Sequence, residues 1–323
     1  MDPLAAEILD NLDRGGTIGV GYLGVVFSSL IYGITCIQTF QYFNSPKGRS
    51  DRAYLRVFVI LVWILDTFHQ ALVIHSHYTY LVTGWGNVES LLFLVWTIPG
   101  SIMVNSCVFI LVRAFFLRRI WLLSQSLIVT VGLGLLAIAR FVFSFVYASQ
   151  IASHHLIVQA ETTSKTVGIY ALAFEVATTV LYTATLVYYL YKGRSGIKKT
   201  DSIVAKVIKL IVSTSMLSAI VAIADLIAYT VRPTKLYNLF FEFILETVDA
   251  NAALTSLNLR EFVSGAKSNA GGTSDTIHFN SIPLSTFQAN SSTNPGGRGP
   301  HTEGTSYEST MSLGVEKGSP YVV

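Results

Sequence analysis

The chain has 323 residues, 51% of them hydrophobic and only 13% charged, with a net charge of +3 and a mean hydropathy of +0.53. A soluble domain carries roughly 25% charged residues, so this composition excludes a water-soluble enzyme and a nucleic-acid binder. The apolar excess comes in long runs, which makes the lipid bilayer the first partner that the sequence implies.

Residues 1–17 set Asp2, Glu7, Asp10 and Asp13 against Arg14, the reverse of the basic start of a secretory signal, so the segment is expected to be retained. Seven apolar stretches follow, at about 18–41, 55–75, 88–112, 121–147, 167–191, 208–231 and 236–257. A helix needs about 20 residues to cross a ~30 Å hydrocarbon core, and helices satisfy every backbone group in lipid. The predicted fold class is therefore all-α, a seven-transmembrane-helix bundle over 18–262. Pro99-Gly100 in the third stretch predicts a mid-helix kink. Cys36 and Cys107 both fall inside stretches and are expected to be free thiols. Arg232-Pro233-Thr234-Lys235 predicts a tight turn before the last stretch.

From Val263 to Val323 the composition changes: 35 of these 61 residues are Ser, Thr, Gly, Asn or Pro. Such a segment cannot bury enough apolar area to offset its ordering entropy, which predicts a disordered tail. Its 18 serines and threonines make it a candidate phosphorylation platform for a cytosolic signalling partner.

Orientation is read from lysine and arginine. Lys47, Arg49, Arg52 and Arg56 follow the first stretch, and Arg113, Arg118 and Arg119 the third. Lys192, Arg194, Lys198, Lys199, Lys206 and Lys209 follow the fifth. The other side holds only Arg14, Lys165, Arg232 and Lys235, a bias of 13 to 4. It predicts an N-terminus outside, a cytosolic C-terminus and a multi-pass protein of the plasma membrane. The Asn290 sequon would then face the cytosol, unmodified.

Ionisable groups inside a bilayer are costly and face the bundle interior or a wet cavity, so each is a candidate for function. The second stretch carries Asp66 and His69, the fourth Arg140, the fifth Glu175 and the sixth Asp225. In the seventh, Glu242, Glu246 and Asp249 are spaced i, i+4 and i+7 on one helical stripe, with Asn238 a turn earlier. Six acids thus face one arginine and one histidine, and they cannot all stay ionised without partners. Either Arg140 bridges one of these acids and the remainder bond between helices, or they line an acidic pocket for a small ligand or a proton path. His75, His77, His154 and His155 gather toward the outer side and are weak candidates for a metal site, without the spacing of a metal motif. No cofactor motif is present.

Four stretches carry a resemblance: Leu30–Phe43 (LIYGITCIQTFQYF), Leu55–Gln70 (LRVFVILVWILDTFHQ), Phe115–Ser124 (FFLRRIWLLS) and Leu254–Val263 (LTSLNLREFV). Together they resemble the family of membrane proteins of mushroom-type (basidiomycete) fungi known as domain of unknown function 6534, over roughly Gly21 to Lys267. The resemblance implies a seven-helix membrane protein and no activity. Rhodopsin-like receptors fit poorly: the third stretch ends in Val112-Arg113-Ala114 rather than Asp-Arg-Tyr, and the seventh has no proline.

The expected function is non-enzymatic and receptor-like or sensory, with a ligand in an outer acidic pocket. The alternative is a proton- or cation-coupled transporter using Asp66, Glu242, Glu246 and Asp249. A membrane-embedded metal hydrolase using Asp66, His69, His75 and His77 is the third reading.

Overall fold

The computed structural model describes residues 16, 19–87, 89–193, 198–231 and 237–268. The N-terminal segment, Arg194, the predicted turn at 232–235, Asn290 and the tail beyond 268 lie outside the described residues. The described residues fold as eight α-helices: α1 (Val20–Asn44), short α2 (Pro46–Ser50), α3 (Ala53–Tyr78), α4 (Thr97–Ser124), α5 (Leu127–Ala152), α6 (Ile157–Lys192), α7 (Lys198–Val231) and α8 (Tyr237–Ser268). The seven long helices form a closed ring in which consecutive ones are neighbours and α8 returns to α1.

Interhelical bonds fix the directions. Tyr32 meets Thr67 and Gln70 meets Ser29, each at 2.8 Å, so α1 and α3 run antiparallel. Ser106 to Ser144 sets α4 against α5. Arg140 to Glu175 and Tyr182 to the Leu133 carbonyl set α5 against α6. The first and last helices instead run parallel, since Asn251 donates to Thr35 and Gln38 to Thr255. They approach closely enough that a Cβ on Gly24 would lie 2.9 Å from Phe240 Cα.

Six of the long helices are long and apolar enough to cross a membrane, which supports a multi-pass protein in a lipid bilayer. Leu30, Phe40, Trp63, Ile128, Leu135 and Ile220 point outward from them, the side chains that lipid would cover. Of these six, α4 is the most enclosed, with 56% of its apolar window buried against 22–39% for the others. The main core wraps it, joining Phe109, Val112, Phe116 and Ile120 to Leu133, Tyr182, Leu186 and Ala253. The seventh long helix, α8, falls short of the apolarity of the others. Its residues 243–250 are all buried, so its acids meet protein and need no lipid-compatible surface.

Three expectations change with α4. It begins at Thr97 rather than near 88 and runs on to Ser124 rather than 112. The apolar run before it belongs to a connection instead, where Leu94 donates to the His155 carbonyl and Ile157 to that of Leu92. Pro99 therefore stands in the first turn, where its missing N–H removes no helical bond, and the expected mid-helix kink is absent. Arg113 moves from the predicted cytosolic loop into the bundle, where it is 4% exposed. The basic surplus on that side keeps its sign without it. Cys36 and Cys107 are free and partly buried.

Candidate functional site

The candidate site is the set of polar side chains enclosed by the seven long helices, in three parts. The first is a charge-balanced network. Arg140 on α5 donates through Nε to Glu175 Oε2 on α6. Arg113 on α4 donates through one nitrogen to Asp249 Oδ2 on α8 and to Thr179 Oγ1 on α6, both at 2.8 Å, and lies 3.5 Å from Glu175 Oε1. Both guanidinium carbons sit over the Phe109 ring, at 4.8 Å for Arg113 and 4.3 Å for Arg140. Two arginines and two acids thus tie four helices together. Each is at most 5% exposed, the geometry in which a buried pair offsets its desolvation only when its other hydrogen bonds are made.

The second part is a cavity of about 30 Å³, lined by Arg140, Ser144, Tyr147, Asp225, Asn238 and Glu242 among others. A buried water needs roughly 10–15 Å³ by this measure, so the space suits on the order of two waters. Asp225 Oδ2 is buried there without a hydrogen-bond partner among the described residues. Gly168 on α6 permits the tyrosine wall: a Cβ there would lie 2.7 Å from the Tyr229 hydroxyl and 2.8 Å from the Tyr147 ring.

The third part joins α1, α3 and α8. His69 Nδ1 makes an ion-pair contact with Glu246 Oε2. Asp66 faces Glu246 and His69, with the Thr35 hydroxyl beside it. His69 in turn has Glu242 as a charged neighbour. Neither oxygen of Asp66, which is 0% exposed, and neither oxygen of Glu246 finds a donor in hydrogen-bond geometry among the described residues, and His69 Nδ1 is likewise without a partner in that geometry.

All eight predicted site residues are thus placed in the bundle interior, but not as one pocket. Asp225 and Glu242 share the cavity with Arg140. Arg140, Glu175 and Asp249 belong to the ion-pair network, and Asp66, His69 and Glu246 to the third group. The histidine candidates do not converge. His75 is exposed and its ring centre lies 6.1 Å from that of Trp96. His77 is buried edge-on to Phe243, and His154 and His155 lie in the connection between α5 and α6. Among the described residues no group of three or more His, Cys, Asp or Glu is placed to hold a metal ion.

Sequence reasoning missed Arg113, Thr179 and the Tyr147–Tyr229 wall. The signal for Arg113 was Pro99: read as a helix start rather than a kink, it places Arg113 about 21 Å inside the helix at 1.5 Å per residue.

No curated protein and no solved structure matches the chain. Residues 175–262 match the family of unknown function DUF6534. That span runs from the second half of α6 through α7 into α8, and includes Glu175, Asp225, Glu242, Glu246 and Asp249. Over that span the chain is similar to this family, the one that its local stretches resemble.

Proposed function

We propose that this multi-pass membrane protein is a non-enzymatic handler of protons, a proton-coupled transporter of the plasma membrane that admits them from the outer end of the bundle. One observation carries the reading. Once Arg113 and Arg140 are engaged by Glu175 and Asp249, four acids remain with His69 as their one titratable base among these interior groups, and two of them line a water-sized cavity. Intramembrane acids that are neither paired nor facing lipid mark proton and ion pathways. From the cavity, Glu242 neighbours His69, His69 touches Glu246, and Glu246 faces Asp66.

Reconstituted liposomes holding a pH-sensitive dye, with a potassium diffusion potential imposed, test this. Proton uptake well above that of empty liposomes is expected, and Glu242→Gln should lower it at least tenfold. Uptake equal to that of empty liposomes sinks the reading.

A receptor role is the second reading, supported by the ion pairs that link α4, α5, α6 and α8. Such a link can have two arrangements that a ligand biases. It takes second place because the cavity is far smaller than the roughly 300–1,000 Å³ of an organic-ligand site.

A further inference from the structure

The group joining α1, α3 and α8 holds an excess of acceptors over donors. Both oxygens of Asp66, both of Glu246 and His69 Nδ1 are buried without a partner in hydrogen-bond geometry among the described residues, although His69 Nδ1 and Glu246 Oε2 are in ion-pair contact. Asp66 and Glu246 are 0% and 2% exposed, so water does not make up the deficit from outside. The arginines are committed elsewhere, Arg113 to Asp249 and Thr179 and Arg140 to Glu175. The groups that face the pair are known from each packed helix. They are Tyr32 and Thr35 on α1, His69 on α3, and Glu242 and Asp249 on α8. None is a fixed cation. The Thr35 hydroxyl accepts from Asn251 at 2.9 Å, leaving its own hydrogen as one donor for four oxygens. Two carboxylates in such surroundings repel each other in a low dielectric, and each unmatched buried acceptor adds its own cost.

We propose that Asp66 and Glu246 form a proton-loading site deep in the bundle, one proton held between their carboxyl groups, with His69 as the group through which it exchanges. A single proton turns one acceptor into a donor and gives a second acceptor its partner, while cancelling one negative charge. Loading proceeds in balance. His69 takes a proton on Nε2 and releases the one on Nδ1 to Glu246 Oε2. This leaves a neutral imidazole and a carboxylic acid that hydrogen-bonds to Asp66. Unloading reverses these transfers. A metal ion is the less fitting occupant, because no three-ligand group is assembled here among the described residues. The assignment deepens the proton-transport reading and takes its purpose from it, but its test does not require transport.

The test is infrared difference spectroscopy of the purified full chain in nanodiscs, in H₂O and D₂O across a pH titration. A protonated-carboxyl C=O band is expected at neutral pH, downshifted by deuteration. Glu246→Gln should remove it, Asp66→Asn should shift it, and Asp225→Asn should leave it in place. Circular dichroism and thermal unfolding establish that each variant folds, and Asp66→Glu, which keeps the acid, should retain a shifted band. A spectrum that neither Asp66→Asn nor Glu246→Gln alters overturns the site. So does a sodium-specific rise in unfolding temperature, against choline chloride, that Asp66→Asn abolishes. Proton uptake without the band leaves transport standing and the site refuted; the band without uptake does the reverse.

Discussion

Arg113 shows how one side chain changes the account of the interior. Counted as a loop residue, it left six acids with one arginine; buried beside Asp249, Thr179 and Glu175, it makes two of the six, Glu175 and Asp249, part of a structural brace. Removing one member of a buried pair leaves the other charge uncompensated, at a cost of about 3–5 kcal/mol. Arg113→Met is therefore expected to destabilise the protein by about that much in a reversible detergent-unfolding assay. Adding Asp249→Asn should recover a large part of the loss, because the stranded carboxylate goes with it. Strict additivity of the two substitutions would show that the pair is not coupled. The acids were individually legible in the sequence, since each is expensive in lipid. Their partners were not, because pairing depends on how each helix is rotated about its axis, which hydropathy does not record.

The helices themselves were legible to different degrees. For α1 and α3 the apolar runs coincide with the helices to within about one turn, whereas the run expected at 121–147 begins inside α4 and ends short of α5, which spans Leu127–Ala152. The α4 register failed because Leu91–Trp96 is as apolar as a span yet forms a connection, held by Tyr80 to the Phe93 carbonyl and by the bonds to Leu92 and His155. At the other extreme, α8 has the length of a span with three acids inside it, and its burial by α1, α3, α4 and α7 explains how it is tolerated. This separates α8 from the rest in a measurable way. An aspartate at the centre of a lone membrane helix costs about 2.5–3.5 kcal/mol on the insertion scale. Placed alone in a host protein with glycosylation sites on both flanks, residues 237–257 should pass through the membrane rather than stay in it. In the full chain the same segment should integrate. Efficient integration of the isolated segment would show that its acids need no neighbours.

At the scale of the molecule, ring closure and orientation are separate matters. Closure is written in the bonds between α1 and α8, whereas orientation rests on the basic loops alone. A reporter fused after Val323 is expected to lie in the cytosol, and a tag before Met1 to be reached by antibody on intact cells; the opposite labelling would reverse every inner and outer assignment made above. The parallel packing of first helix on last also has a consequence for synthesis. Thr35 and Gln38 receive their partners Asn251 and Thr255 only when the final helix is made. At roughly 5–20 residues per second, α1 waits on the order of 10–40 s after it emerges. Through that interval its polar face is an open invitation to any other helix in the same bilayer, and a second copy of α1 is the nearest. The ribosome therefore sets a race between completing one ring and cross-pairing two unfinished ones, and slowing translation before α8 would tilt it toward the second.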